Sequence, residues 1–162
     1  MRSKTMLLDV KAVRRTPGAS LPFSFELDLS GVSFYGENRL QKPVKVEGKL
    51  YNRAGMMGLY ERIEYEVETL CARCAKPLQV RKTVESDRPA ADERQDEEND
   101  DILLIENDTL DAAAVAEEAV VLDMDLVYLC RPDCKGLCPI CGADRNETDC
   151  GHGEPAAPET DA

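Results

Sequence analysis

The sequence predicts a mainly β fold with one short α-helix (an α+β chain), in which an antiparallel meander or barrel-like sheet precedes a cysteine-rich segment. Apolar and polar residues alternate with a period of two along the first half of the chain, as they do in half-buried strands. Beyond residue 108, one run of apolar residues has helical spacing instead. Five of the seven cysteines then fall within residues 130–150. These observations place the sheet first and the cysteines last.

The predicted strands follow one another with short turns between them. They cover residues 7–10, 21–29, 44–51, 59–70 and 78–84. Asn52 to Gly55 is a turn signal between the third and fourth strands. Consecutive strands that are apolar on one face only are typical of antiparallel sheets, so we expect residues 1–84 to form a basic antiparallel sheet region.

The second half of the chain begins with an acidic segment and ends with a polar tail. Residues 85–101 are predicted to be an acidic flexible loop, because such a composition cannot bury a core. Residues 102–129 are predicted to supply a strand and a helix that pack on the sheet. The helix is expected over residues 109–122, with Asp108 as its cap. The tail, residues 154–162, is expected to be disordered.

Charge is distributed unevenly along the chain. Residues 1–84 carry 15 Lys and Arg against 9 Asp and Glu, a net charge of +6. Residues 85–162 carry 5 against 23, a net charge of −18. The split favours a basic face with affinity for nucleic acid and a separate acidic part, although charge that only solvates surface loops explains the acidic half equally well.

No segment of the sequence has the character of a membrane span or a secretion signal. No apolar run approaches the roughly 20 residues that cross a bilayer, and no apolar core follows the basic start at Met1. We therefore expect a cytoplasmic protein that makes no contact with a membrane. Cysteines in a reducing compartment are metal ligands more often than disulfides, and their odd number here agrees with that.

The cysteines have metal-knuckle spacing. Cys71-Ala-Arg-Cys74 lies in the predicted turn between two strands, where a two-residue gap lets both sulfur atoms face one ion. A redox pair of the thioredoxin kind needs a strand-to-helix context instead, so a metal is favoured. In Cys138-Pro-Ile-Cys141-Gly142, the glycine permits the positive φ that a knuckle requires.

Seven cysteines and one histidine make eight potential ligands, enough for two closed tetrahedral sites. The candidates are Cys71, Cys74, Cys130, Cys134, Cys138, Cys141, Cys150 and His152. We favour Cys138, Cys141, Cys150 and His152 around one zinc ion, and the other four around a second ion that clamps the cysteine-rich segment, residues 130–153, to the sheet. A single four-ligand site is the alternative, and an iron–sulfur cluster is less favoured. Four protein ligands leave no position for water, which predicts structural zinc.

Two motifs carry a resemblance to a known family. Cys71-Ala-Arg-Cys74-Ala-Lys-Pro and Asp133-Cys134-Lys-Gly-Leu-Cys138-Pro-Ile-Cys141-Gly resemble the YceD family of large ribosomal RNA subunit accumulation proteins, in its cysteine-rich, Gram-positive-type form. The resemblance implies a non-enzymatic factor in ribosome biogenesis that promotes the synthesis or accumulation of large-subunit ribosomal RNA. The chain departs from the family pattern at Ala75, where leucine is common, at His152, where cysteine is usual, and beyond Glu154.

No catalytic constellation accompanies these motifs. The chain has one histidine and no phosphate-binding or dinucleotide-binding glycine loop, so we expect neither an enzyme nor a small-molecule substrate. The expected partner is ribosomal RNA or a large-subunit assembly intermediate. Candidate phosphate contacts, chosen by charge, are Arg53, Arg62, Arg73, Lys76, Arg81 and Lys82. The alternatives are an adaptor whose acidic half binds a basic ribosomal protein, and a cysteine redox sensor.

Overall fold

The computed structural model describes residues 5–93 and 100–153. Their elements in chain order are β1 (Leu7–Asp9), α1 (Lys11–Arg14), β2 (Ser20–Leu27), β3 (Val44–Arg53), β4 (Met56–Leu70), β5 (Pro77–Ala91), β6 (Leu103–Leu104), β7 (Thr109–Asp111) and α2 (Ala112–Asp123). The centre of the predicted acidic loop, residues 94–99, and the predicted disordered tail, residues 154–162, lie outside the described residues.

The chain divides into two units. The first consists of the residues up to Val67 together with Val80–Met124. The second consists of Glu68–Gln79 and the residues from Asp125 onward. Five of the predicted strands are confirmed as β1 to β5, and the short apolar run after residue 101 is confirmed as β6.

The first unit is built on a mixed five-stranded sheet with the order β2-β3-β4-β5-β6. β2, β3 and β4 are antiparallel neighbours, as predicted. Ala54 and Gly55, with φ of 53° and 90°, form the two-residue loop between β3 and β4, which matches the twist of the flanking strands. The Asn52 side chain accepts a hydrogen bond from the Gly55 amide (2.8 Å) and stabilises this turn.

The prediction of a barrel-like sheet is wrong for the described residues, whereas the predicted meander is present in the consecutive strands β2-β3-β4-β5. The sheet is open, with β2 and β6 at its edges. β6 pairs with β5 in parallel, opposing Leu103 to Ala90, and β1 pairs with β7 in a separate two-stranded sheet. A second helix, α1, was not predicted, because its four residues are too few to show a helical period.

The core of the first unit comes from the inward faces of β3 and β4 and from α2. Val46, Leu50 and Ile63 are almost fully buried and alternate with exposed or half-buried residues, and Leu59 is fully buried in a run of buried residues. Glu61 also faces inward on β4 and is fully buried, although its side chain is ionisable. The period-two alternation therefore predicts which face is buried, but not the carboxyl group within it.

The helix begins later than the sequence predicts. Asp111, rather than Asp108, is the cap, and its carboxylate accepts hydrogen bonds from the amides of Ala113 (3.1 Å) and Ala114 (3.4 Å). Asp108 lies in the preceding turn with φ of 57°. Thr109–Asp111 form β7, because Leu110 is opposite Leu8 in the small sheet. Pairing with a distant segment thus converts the predicted first turn of the helix into a strand.

Strand β5 also extends further than predicted. Residues 85–91, assigned from composition to the acidic loop, continue β5 as far as Ala91. The Arg88 guanidinium within this stretch forms an ion pair with Glu118 of α2 (3.2 Å). Neither helix of the described chain is long and apolar enough to span a membrane.

Candidate metal centre

The first knuckle lies at the tip of the hairpin formed by β4 and β5. The Cys71 amide donates to the Lys76 carbonyl (2.8 Å), and the Ala75 amide donates to the Cys71 carbonyl (2.9 Å). Ala75 adopts a left-handed φ of 59° to close this turn. Cys71 and Cys74 are both buried, so the hairpin tip presents two thiols to the interior of the second unit.

The second knuckle repeats this hydrogen-bond pattern position by position. The Cys138 amide donates to the Ala143 carbonyl (2.8 Å), and the Gly142 amide donates to the Cys138 carbonyl (2.8 Å). Gly142, with φ of 75°, occupies the place that Ala75 takes in the first knuckle. The two CxxC motifs therefore build the same turn, and each requires a left-handed residue directly after its second cysteine.

The first cluster unites the hairpin tip with the segment that follows residue 129. Cys71, Cys74, Cys130 and Cys134 place their four sulfur atoms within 4.8 Å of one another. The Sγ atoms of Cys71 and Cys134 are 3.8 Å apart, and those of Cys74 and Cys130 are 3.7 Å apart. A tetrahedral zinc ion with Zn–S bonds of about 2.3 Å separates its sulfur ligands by about 3.8 Å. The spacing fits one ion, and it is far too long for a disulfide.

The second cluster forms within a short stretch of chain. Cys138, Cys141, Cys150 and His152 also bring their ligand atoms within 4.8 Å of one another. The Cys138 Sγ lies 3.7 Å from the His152 Nδ1. Zinc bonds of about 2.3 Å to sulfur and 2.0–2.1 Å to nitrogen predict about 3.6 Å for this pair. The structure thus groups the eight residues as predicted from the sequence, and the spacing of the ligand atoms in each group fits one metal ion.

Backbone amides lower the pKa of the first thiol in each knuckle, Cys71 and Cys138. The amide of Cys74 is the main cause that lowers the pKa of Cys71 to about 6. The amides of Cys141 and Ile140 lower the pKa of Cys138 to about 6 in the same way. Burial, together with neighbouring thiols, raises the pKa of Cys130 to about 12. One thiolate per cluster forms readily near neutral pH, and a bound cation would favour loss of the other protons.

Two residues outside the predicted ligand set contact the first cluster. The guanidinium of Arg73, a candidate RNA contact, donates to the Cys134 carbonyl (2.9 Å). The Asn146 side chain donates to the Cys134 sulfur (3.3 Å). Gly136 passes so close to Arg73 that an added Cβ would lie 3.0 Å from the Arg73 carbonyl oxygen. Hydrogen-bond partners beyond the ligands leave no spacing signal, so only the folded geometry reveals them.

Comparison with known proteins places these clusters in a family. The model of the family described as large ribosomal RNA subunit accumulation protein YceD matches residues 60–161, which include all eight clustered residues. The chain belongs to the YceD family. This confirms the resemblance drawn from the cysteine motifs, and it assigns both knuckles to the YceD region of the chain.

The similar curated proteins are mycobacterial and uncharacterized. One from Mycobacterium bovis and others from two strains of Mycobacterium tuberculosis are each 38% identical to this YceD chain over 76 residues. The match covers 44% of this chain and 37% of each relative, so the chain spans well under half the length of these relatives. No solved structure matches it.

The four candidate RNA contacts in the first unit of this YceD chain already have partners. The contacts are Arg53 over the ring of Tyr51 (5.2 Å to the centroid), Arg62 with Glu64 (2.9 Å), Arg81 with Glu66 (3.2 Å) and Lys82 with Asp123 (3.3 Å). Charges of opposite sign also face each other across β3 and β4, where Lys45 opposes Glu64. Between these two strands the outer face is therefore alternating in charge rather than uniformly basic.

The two candidate RNA contacts in the second unit lie beside the first cluster. Arg73 is held by its bond to the Cys134 carbonyl, as described above. Lys76 lines a cavity of about 250 Å³, together with Cys74, Cys130, Arg131, Asp144, Asn146 and Glu147. The cavity wall contains both basic and acidic side chains, so its charge selects neither phosphate nor cation.

Proposed function

We propose that this YceD protein is a non-enzymatic ribosome assembly factor that promotes the accumulation of large-subunit ribosomal RNA in the cytoplasm, and that two structural zinc ions hold its second unit together. The family match supports the role in the large subunit. The two four-ligand clusters, each with the spacing of a closed tetrahedral site, support the structural metal.

The donor set favours zinc. Four thiolates, or three thiolates and one imidazole, are the usual ligands of structural zinc. With four protein ligands the metal keeps no open position for a substrate or an activated water molecule, which agrees with a non-enzymatic role. Structural zinc contributes about 10–16 kcal/mol in small zinc domains. That stabilisation is large enough to fold a unit with few apolar residues.

Metal analysis of the purified protein tests the zinc proposal. We expect two zinc ions per chain in the native protein. The double variant Cys71→Ser/Cys74→Ser and the double variant Cys138→Ser/Cys141→Ser should each retain one ion. A native chain with no zinc would contradict the proposal. A single ion unaffected by the Cys71/Cys74 change would contradict the two-site arrangement and support the single-site alternative.

Depletion of the protein from cells tests the assembly role. We expect large-subunit ribosomal RNA to fall relative to small-subunit RNA, and incomplete large particles to accumulate in sucrose gradients. The native gene should restore the ratio, whereas the Cys71→Ser/Cys74→Ser variant should not. An unchanged ratio in depleted cells would contradict the proposed role.

Direct RNA contact by the basic side chains is part of the proposal and has a separate test. The ion pairs of Arg62 and Arg81 must exchange their carboxylates for phosphates, so binding to large-subunit RNA should weaken steeply as salt rises. The double variant Arg62→Ala/Arg81→Ala should reduce the salt dependence. Failure of the native protein to bind this RNA even at low salt would exclude direct contact.

The acidic half of the chain supports a second candidate function. Residues 85–162 carry a net charge of −18, which complements a basic ribosomal protein and can shield it before assembly. Co-purification of a large-subunit protein that survives nuclease treatment would favour this adaptor role. Co-purification that nuclease abolishes would favour direct RNA contact instead.

A further inference from the structure

The side chain of Asn146 crosses from one cluster to the other. In sequence it lies between Cys141 and Cys150, two members of the second cluster. In space its amide group faces the first cluster, and its Nδ2 donates to the Cys134 sulfur at 3.3 Å. A residue on the loop of one candidate metal site thus hydrogen-bonds a candidate ligand of the other.

The oxygen of the same amide fixes the chain around Cys134. Asn146 Oδ1 accepts hydrogen bonds from the Lys135 backbone amide (2.8 Å) and from Arg131 Nη2 (2.7 Å). Because both partners are obligate donors, the oxygen must face them and the NH₂ group must face the sulfur. The Asn146 side chain therefore binds the segment 131–135 through both amide atoms: its oxygen accepts from Arg131 and Lys135, and its nitrogen donates to the Cys134 sulfur.

The loop of the second cluster holds Asn146 in this position. Asp144 Oδ1 accepts from the Asn146 backbone amide (2.9 Å) and from its Nδ2 (2.7 Å). The Arg145 amide donates to the Gly136 carbonyl (3.0 Å) and joins the same loop to the Cys134 segment. Cys141 and Cys150 flank this loop, so an ion at the second cluster would close it and restrict its conformations.

A hydrogen bond to a metal-bound thiolate has two effects. It delocalises charge from a site that, with four thiolates and one Zn²⁺, has a net charge of −2, and it orients the ligand. Partners of this kind are worth about tenfold to hundredfold in metal affinity. Whatever orders the loop that carries Asn146 therefore strengthens the first site, and linkage makes the effect reciprocal.

We propose that Asn146 is a positioning residue that couples the two metal sites, so that an ion at Cys138, Cys141, Cys150 and His152 tightens the binding of an ion at Cys71, Cys74, Cys130 and Cys134. The coupling rests on the two-ion arrangement proposed above. It assigns to the second ion a regulatory effect on the first, in addition to its local structural role.

The test is a chelator competition on the full chain, loaded with Cd²⁺ and followed by cadmium NMR. A four-thiolate site and a site of three thiolates and one imidazole give separate resonances, so each affinity is measured on its own. Asn146→Ala should lower the affinity of the first site tenfold to hundredfold and shift its resonance. Thr148→Ala on the same loop should change neither, because the Thr148 side chain makes no hydrogen bond within the described residues.

A cycle of variants separates coupling from a local effect. Removal of the second site by Cys138→Ser/Cys141→Ser should weaken the first site in the native background, and much less in the Asn146→Ala background. Asn146→Asp keeps the oxygen acceptor and replaces the donor by a negative charge. It should preserve the fold by circular dichroism and still weaken the first site.

The outcomes distinguish this inference from the proposed function. If the native chain binds fewer than two ions, the two-site proposal fails and the coupling fails with it. If it binds two ions and Asn146→Ala leaves the first affinity and resonance unchanged, only the coupling is wrong. The coupling would also be overturned if removal of the second site weakened the first site equally in the native and the Asn146→Ala backgrounds.

Discussion

Glu61 is a carboxyl group that the first unit buries without a hydrogen-bond partner. Its side chain is fully buried, and neither carboxylate oxygen has a partner within the described residues. Gly48 is its neighbour on β3, and the ring of Phe23 lies against that glycine. Burial, and secondarily the charge of Asp111, raises the pKa of Glu61 to about 8. Glu61 is therefore mainly protonated at neutral pH.

The raised pKa of Glu61 predicts a loss of stability with rising pH. The folded protein binds the proton more tightly than the unfolded chain, whose pKa is near 4.5. The stabilisation is complete below pH 4.5 and is lost as the pH rises to about 8. Glu61→Gln should remove this dependence and raise the free energy of unfolding by about 3–5 kcal/mol at pH 9, with little change near pH 4.5. Urea denaturation at several pH values measures it.

Glu64→Gln is the matched control for this experiment. Glu64 lies on the same strand, but on its exposed face, where it pairs with Arg62. Its replacement should change stability by less than about 1 kcal/mol at any pH in this range. Parallel pH profiles for native protein and Glu61→Gln would show that the buried carboxyl group does not titrate in this range.

At the scale of elements, the two knuckles differ at the one residue that must be left-handed. Ala75 and Gly142 occupy equivalent positions with φ of 59° and 75°. A Cβ in this conformation costs roughly 1 kcal/mol. Ala75→Gly should therefore raise the free energy of unfolding by up to about 1 kcal/mol, and Gly142→Ala should lower it by about the same amount. Denaturation of the metal-loaded protein measures both.

A third substitution controls for the flexibility that glycine adds to the unfolded chain. Ala72 is in the same knuckle as Ala75, but its φ is not positive. Ala72→Gly should destabilise the protein by about 0.5–1 kcal/mol, because only the unfolded state gains freedom there. A destabilising Ala75→Gly, equal to Ala72→Gly, would mean that the left-handed turn imposes no strain.

The elements that sequence alone predicts are those whose pattern is local. The strands β2, β3 and β4 show period-two alternation and are confirmed. Residues 85–91 have no such alternation of apolar residues, and they are a strand because neighbouring strands pair with them. The displaced cap has the same origin, since β7 exists only through its partner β1, about 100 residues earlier. Long-range pairing is not visible in a sequence window.

At the scale of the whole molecule, the number and spacing of ligand-type residues predicted the candidate site more fully than apolar alternation predicted the sheet. Eight ligand-type residues and a four-coordinate metal permit two closed groups, and the structure forms both with the favoured membership. The type and spacing of the ligand residues can be read directly from the sequence. The open edge of the sheet, the pairing of basic side chains with carboxylates and the bond from Asn146 to Cys134 depend on tertiary geometry, which spacing does not specify.

The composition of the second unit predicts a strong response to chelation. Its buried cluster consists of Cys71, Cys74 and Cys134, with Leu78, Leu129 and Cys130 packed against it. The burial of so few apolar residues cannot by itself compensate for the conformational entropy that this unit loses on folding. A strong chelator should therefore abolish the protection from amide hydrogen exchange in residues 68–79 and 125–153. Protection in β3 and α2, which pack in their own core, should remain.

Two controls accompany the chelation experiment. Zinc added back in excess of chelator should restore protection to the second unit. Calcium, which prefers oxygen ligands, should not restore it. Full protection of residues 68–79 after complete removal of metal would contradict a metal-dependent fold.

The distance in sequence between the halves of the first cluster sets a delay during synthesis. Cys71 and Cys134 are 63 residues apart, whereas Cys138 and His152 are 14 apart. Ribosomes add about 5–20 residues per second, so the hairpin thiols emerge roughly 3–12 s before their partners. Closing the longer loop also costs about 1.3 kcal/mol more in chain entropy. In a growing chain, the hairpin thiols therefore remain reduced and without their partners, exposed to oxidants and to other metals, until Cys130 and Cys134 have been made.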